Sequence, residues 1–456
     1  MWRASALSVT IDEAYTFNQF VAGGFTGIFL SGFDANNHVL HSALVWLSTS
    51  LFGISEFGIR IPALLGTAGF LYLLPALIER VIADRRLQLL TIAVLILNPL
   101  TIDLLCAARG YSLALAFMTM AVLHLLRYAD GQKRNDLRWV SASLGLMCSA
   151  NLSFAFAAIA ILGVSVCVAV RREQWRHLLS AFVPVVSILF VILVLPFSRV
   201  ERSYFYWGSP TIRISAETTT DAFLLHNPHD SAPFGSVKTR GRFTRRYLPI
   251  GLGLILLTTV WWFVAGMRTQ VTLLGFILAI CLFGYWLAHE WLQVPYPSER
   301  TSIPLVLLFF LTLGGVTAGL LRDPSLAWRT VALASIAVSV AMLIQFAMQF
   351  RPGHLWSWYQ ERDNRQIADL LRGRGARNIS SFWVVQPALE FYRLAGRMPA
   401  AKPLLKYPAD LPPLEGYDAY VLLRPDQRIL ESKKLRIVWK SEFTGVSVAV
   451  PNDARP

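Results

Sequence analysis

The chain has 456 residues, 55% of them apolar and only 15% charged, with a mean hydropathy of +0.49. Soluble domains average about 45–50% apolar residues, and here the apolar residues also fall in long uninterrupted runs, so a polytopic membrane protein is expected. The net charge of +14 is carried in part by short loops between those runs, the pattern of topology signals and lipid headgroup contacts, which argues against nucleic acid as a partner.

Acidic side chains are scarce, 28 against 42 basic ones, yet Asp12 and Glu13 stand together in Thr10-Ile-Asp-Glu-Ala-Tyr15, just before the amphipathic stretch 17–33. Neighbours on a helix point about 100° apart, so the pair cannot easily serve one atom. Thr10-x-x-Glu13 matches a capping box, which would employ Glu13 structurally and leave Asp12 for chemistry; both acids also suit a helix N-terminus through its dipole alone. Residues 37–52 follow, apolar on one face with His38, His41 and Ser42 on another, and suit a helix lying along the interface. The two histidines stand one turn apart, but no further ligand accompanies them, so no metal site is indicated.

About ten spans can be drawn, at 57–79, 88–105, 110–126, 139–153, 154–170, 178–197, 248–266, 272–290, 302–320 and 329–349. Stretch 139–170 is long for one span and short for two; alternation of loop charge favours two, split near Asn151. One set of connections is rich in arginine, with Arg80, Arg85, Arg86, Arg127, Arg134, Arg138, Arg171, Arg172, Arg176, Arg268, Arg322 and Arg329, whereas the short opposite ones hold only Arg109 and Arg300. The rich set is cytoplasmic by the positive-inside rule, which places residues 1–56, the loop 198–247 and everything after Phe350 outside. An outward N-terminus with no preceding span has nothing to deliver it, so a further helix upstream of Met1 is expected.

Arg109 lies in Ala108-Arg-Gly-Tyr-Ser112, with Asp103 a turn and a half earlier, and Arg300 lies in Tyr296-Pro-Ser-Glu-Arg300 beside Glu299. A guanidinium at such a mouth either holds a substrate phosphate or meets ordinary lipid phosphates, and each arginine has an acid close by to pair with. The loop 198–247 is aromatic early (Tyr204, Phe205, Tyr206, Trp207) and basic late (Lys238, Arg240, Arg242, Arg245, Arg246), as a lid or substrate contact would be. Asn151-Leu-Ser and Asn378-Ile-Ser match the glycosylation triplet, a pattern common by chance. The four cysteines (Cys106, Cys148, Cys167, Cys281) read as small core residues. After Phe350, a helix at 362–371, strands at 379–385, 419–423, 435–440 and 446–450, and a short helix at 387–395 make a small α/β domain.

Ile-Asp-Glu-Ala-Tyr15, Asn-His-Val-Leu-His-Ser-Ala-Leu-Val-Trp46, Leu-Phe-Gly-Ile-Ser-Glu-Phe-Gly-Ile-Arg-Ile-Pro62, Ala-Arg-Gly-Tyr-Ser-Leu113 and Ser-Glu-Arg300, in that order, resemble the GT-C class of membrane glycosyltransferases. The likeness is to bacterial relatives of the dolichyl-phosphate-mannose–protein mannosyltransferases, the aminoarabinose and galacturonosyl transferase types. It implies an α-helical polytopic fold with a small C-terminal soluble α/β domain, divided as 1–56 (outer-face loop with interface helices and the catalytic acid), 57–349 (transmembrane domain) and 350–456 (soluble domain). It implies transfer of a sugar, with inversion, from a polyprenyl-phosphate donor to a hydroxyl of a lipid, glycan or protein on the outer face of an inner membrane. Carried over, Asp12 is the base with Glu13 beside it, Arg109, Tyr111 and Arg300 are donor-phosphate contacts, and His38, His41, Asp103 and Glu299 are candidate acceptor or sugar contacts. No cofactor is required; a divalent metal is compatible but not indicated. The rivals are a transporter or lipid-handling protein, and a noncatalytic member of the same fold. Charges at span ends rather than mid-span speak against transport.

Overall fold

A computed structural model of the chain describes residues 2–32, 34–131, 133–198, 207–224, 248–264, 270–407, 416–423 and 427–452. Most of the loop 198–247, including Tyr204, Phe205, Tyr206 and its late basic run, lies outside the described residues, as does Arg268. The chain folds as two compact units. One gathers residues 1–31, 42–61 and 352–456, and the other residues 32–41 and 62–351.

The larger unit is helical. Each of the ten apolar stretches read from the sequence is largely helical in its described residues, the stretch 88–105 as two helices. Among the described residues seven helices are long and apolar enough to cross a bilayer, eight if the bent pair Arg85–Ile96 and Pro99–Cys106 is one span. Arg134–Ala150, at 17 residues, falls short of the ~20 that a hydrocarbon core of about 30 Å requires, and Leu248–Val264 is helical throughout its described residues. The helices Trp175–Phe197 and Leu326–Gln349 leave most of their apolar surface bare, with Leu179, Phe190, Val191 and Leu333 exposed. Such faces suit lipid as their solvent.

Two asparagines set breaks between helices. Asn98 is extended, its Oδ1 accepts from Thr101 N at 2.8 Å, its Nδ2 donates to the carbonyls of Val94 and Leu95, and Pro99 opens the next helix. The result is a 66° bend. Asn151 does the same after Ala150: it is extended and its Oδ1 accepts from Ser153 N at 3.0 Å. The stretch 139–170 is therefore two helices with an ordered break between them. Helices 56–81 and 111–131 approach closely at Gly66, where a Cβ would lie 2.5 Å from Leu113 N.

The smaller unit carries a five-stranded sheet of β1 (Ile379–Phe382), β2 (Leu405–Tyr407), β3 (Ala419–Leu423), β4 (Leu435–Lys440) and β5 (Val446–Pro451), ordered β2-β1-β3-β5-β4. β1 runs parallel to β2 and β3, and β5 antiparallel to β3 and β4. Parallel neighbours need a crossover, and between β1 and β2 the helix Gln386–Leu394 supplies it. Phe382, Tyr420, Leu422, Leu435 and Ala449 form a buried cluster on the sheet. β2 had no signal in the sequence, being three residues long; β1 covers only the first part of the expected 379–385, and β3, β4 and β5 lie where the sequence placed them.

Candidate active site

In the smaller unit the helix Ile11–Thr16 begins on the capping box. Glu13 N donates to Thr10 Oγ1 at 3.2 Å, and Thr10 N donates to Glu13 Oε2 at 2.9 Å. Arg60, fully buried, meets the same carboxylate as a fork: Nε to Oε1 at 2.8 Å and Nη2 to Oε2 at 2.7 Å. Its remaining donors reach the carbonyls of Ala4 (3.2 Å), Leu7 (2.8 Å) and Ser8 (2.9 Å). A planar guanidinium matches this set where an ammonium would not. Both oxygens of Glu13 are thus engaged in holding the approach to the helix.

Asp12, one residue earlier, is half-buried and points elsewhere, as the 100° step requires. Its Oδ2 accepts from the indole Nε1 of Trp358 at 3.0 Å. The backbone ahead of it is held by the same stretch of chain. Ile11 N donates to Glu361 Oε2, Asn364 Nδ2 donates to Val9 O at 3.2 Å, and Ser8 Oγ donates to Arg362 O at 2.7 Å. Val9 N donates to the Tyr392 hydroxyl at 3.1 Å; burial first, and then the charge of Glu56, push that phenol up. Arg365 bridges Ser5 O (2.6 Å) and the buried Glu56 (2.6 Å). Beyond the acids, the stretch 17–33 breaks into a π-helical turn, Phe17–Val21, and a short helix, Gly24–Phe29.

In the larger unit a second cluster forms at helix breaks. After helix Pro99–Cys106 the chain turns at Arg109, whose N donates to Ala107 O at 2.8 Å, and Gly110 takes φ +71° before helix Tyr111–Gly131 starts. A Cβ at Gly110 would stand 2.1 Å from Ala150 O, so this close approach requires glycine. Arg109 is 3% exposed and donates through Nη2 to Asn36 Oδ1 at 2.7 Å. Asn151 Nδ2 donates to Arg109 O at 3.2 Å, tying one helix break to another. Arg300 is 9% exposed and stacks over the Trp207 ring at 4.8 Å. Its turn is built by a cap, with Ser298 N donating to Thr301 Oγ1 at 2.7 Å, and is braced by Thr218 and Thr219 through the hydroxyls of Ser298 (3.0 Å) and Ser302 (2.9 Å).

His38 joins the two arginines. Its ring is buried, edge-on to Tyr111 at 6.0 Å, and its Nε2 has no hydrogen-bond partner among the described residues. Burial, and then the positive charge of Arg109, His41 and Arg300, hold the imidazole well below its ordinary value of 6.5. Arg109 and Arg300, from connections far apart in sequence, therefore act on one imidazole, and a neutral ring sits among buried cations. Such a place attracts an anion.

The structure thus gathers His38, His41, Arg109, Tyr111 and Arg300 in the larger unit. Asp103 is buried on the helix before Arg109, and Glu299 adopts φ +47° beside Arg300. Asp12 and Glu13 belong to the smaller unit. Sequence reasoning did not single out Arg60, Asn36, Asn151 as a scaffold, or Trp358. Arg60 lay inside a quoted motif, and Asn151 drew notice as the point where two spans divide and as a glycosylation triplet; at 1% exposure it is a buried structural amide. Trp358 carried no signal.

The sequence model of the family described as dolichyl-phosphate-mannose-protein mannosyltransferase matches residues 37–198. Among solved structures, the chain is similar to ArnT from Cupriavidus metallidurans in the apo state, at TM-score 0.57 and 13% identity, covering 100% of this chain and 96% of that one. ArnT from the same organism bound to undecaprenyl phosphate is similar at TM-score 0.51 and 14% identity, with the same coverage. No curated protein sequence matches the chain. The fold is that of the GT-C class, and this is an integral, multi-pass membrane protein.

Proposed function

We propose that the protein is an inverting glycosyltransferase that moves a sugar from a polyprenyl-phosphate donor to an acceptor hydroxyl on the outer face of a bacterial inner membrane. The observation that carries this reading is the buried pair Arg109 and Arg300 acting on one neutral His38. Two buried guanidiniums, both near enough to lower one imidazole, suit the phosphate that leaves with the lipid. The similar ArnT bound to undecaprenyl phosphate supports the same class of ligand.

In the step itself, the acceptor oxygen forms a bond to the anomeric carbon while the bond from that carbon to the phosphate oxygen breaks. The electron pair leaves with the polyprenyl phosphate, whose added charge Arg109 and Arg300 stabilise. The hydroxyl proton passes to Asp12, and attack from the face opposite the leaving group inverts the centre. Glu13 acts as scaffold, consistent with its bonds to Arg60 and Thr10. Tyr111 lines the phosphate end, and His41, Asp103 and Glu299 are assigned to sugar or acceptor.

The test is a panel. Purified protein in nanodiscs is given undecaprenyl-phosphate mannose, galacturonic acid, aminoarabinose and glucose in turn, with lipid A, a short glycan or a serine-containing peptide as acceptor. Release of undecaprenyl phosphate together with a glycosylated acceptor, for at least one pair, is the expected result. Binding of all donors without release in any pair would favour the noncatalytic alternative.

A further inference from the structure

The C-terminal domain has had no task so far, yet it makes the contacts that fix Asp12. Within the smaller unit, residues 5–12 are met by Trp358, Glu361, Asn364, Arg365 and Tyr392, each through a hydrogen bond. The pattern divides by function. Asn364, Arg365 and Tyr392 bind backbone atoms of Ser5 and Val9 and set the path of the chain. Glu361 takes Ile11 N, an N–H that the first turn of a helix leaves without an intrahelical partner. Arg365 also donates through its backbone N to Ser8 Oγ at 3.2 Å, and Trp358 reaches the Asp12 carboxylate.

Trp358 is itself held. It is 4% exposed, and its N donates to Leu355 O at 3.1 Å at the start of a turn where φ departs to −131°. An indole N–H is donor only. Its hydrogen bond engages Oδ2 of Asp12 and brings no charge of its own.

We infer that Trp358 is a positioning residue: its indole N–H orients the Asp12 carboxylate and keeps it ionised and ready to accept a proton, so the C-terminal domain completes the base. The inference rests on Asp12 being the base. A lysine or arginine in this place would hold the carboxylate more tightly but weaken it as a base; a neutral donor orients it at a smaller cost in basicity.

The readout is the protonation of Asp12, which needs no sugar substrate. Full-length protein in nanodiscs is treated with a water-soluble carbodiimide and glycine ethyl ester across pH, and labelling of the Asp12 peptide is followed by mass spectrometry. Only the protonated carboxyl reacts, so the midpoint reports its titration. Trp358→Phe is expected to raise the midpoint by about one pH unit. Where that variant fails to fold, replacement of Trp358 by 3-benzothienylalanine decides the matter, because it keeps the bicyclic shape and lacks the N–H. The same rise is expected there. An unmoved midpoint in the isostere overturns the positioning role whatever the activity. Separately, Asp12→Asn is assayed on the donor panel; transfer at the wild-type rate would overturn the base assignment and this inference with it.

Discussion

Asp12 and Arg109 are held in opposite ways. Asp12 sits on a short helix whose approach is fixed by side chains more than three hundred residues later, Trp358 and Asn364 among them. Arg109 sits in a turn onto Ala107 followed by a left-handed Gly110, with its side chain bonded to Asn36 and its carbonyl to Asn151. The acid is thus positioned by contacts very far along the chain, and the cation by a turn whose glycine is visible in the sequence together with the amides of Asn36 and Asn151. The difference teaches that a functional helix break announces itself, whereas a functional carboxylate is announced only by its scarcity.

The largest effect is expected where the acid's scaffold is removed. Glu13→Ala leaves Arg60 buried without its fork, and breaking a buried pair costs about 3–5 kcal/mol. Thermal melts in detergent should show a lower, broader transition with cleavage of residues 1–60 by added protease. A melt within a degree of wild type would show that the loop does not depend on this pair.

The cationic region is tested next. Arg109→Lys keeps the charge but loses the planar fork toward Asn36, so affinity for undecaprenyl phosphate should fall about tenfold, and Arg300→Lys, which loses its stacking on Trp207, should behave alike. Titration of nanodisc-embedded protein by tryptophan fluorescence measures this. Equal affinity in both variants would remove the phosphate role from the arginines. Gly110→Ala should cost about 1–3 kcal/mol, because φ +71° is strained for a side chain and the added carbon meets Ala150 O.

The smallest effect concerns pH. His38 is held below 6.5 in the fold, so below that pH the unfolded chain binds a proton that the folded one refuses. Stability is therefore present above about pH 6.5 and is lost as pH falls through it. The fall in melting temperature from pH 7.5 to about pH 5.5 should be smaller in His38→Gln than in wild type. An equal fall in both would mean that the ring does not titrate between the two states.

Much of the architecture was legible because bilayer physics is repetitive: long apolar runs, arginine-rich connections and a composition change after Phe350. The helix break at Asn151 was legible through loop charge alone. Span number was harder, since Asn98 divides the stretch 88–105 into two helices and Arg134–Ala150 is only 17 residues long with charged residues in its first turns. In the candidate site, Arg109 and Arg300 stood out as lone cations, and Thr10-x-x-Glu13 as a cap, which forms as read. Their gathering about His38 was not legible, because it depends on how separate helix breaks pack. Arg60 and Trp358 gave no cue, since each acts through one bond or fork to a residue that only folding brings near.

Whether Asp12 is the base of a polyprenyl-phosphate-dependent transfer is decided by the turnover of Asp12→Asn beside wild type, at equal amounts of folded protein and with the donor that the panel selects. General-base catalysis is worth about 10²–10⁴-fold, so the account predicts a loss of at least about a hundredfold with an unchanged affinity for undecaprenyl phosphate. Turnover within twofold of wild type would contradict it.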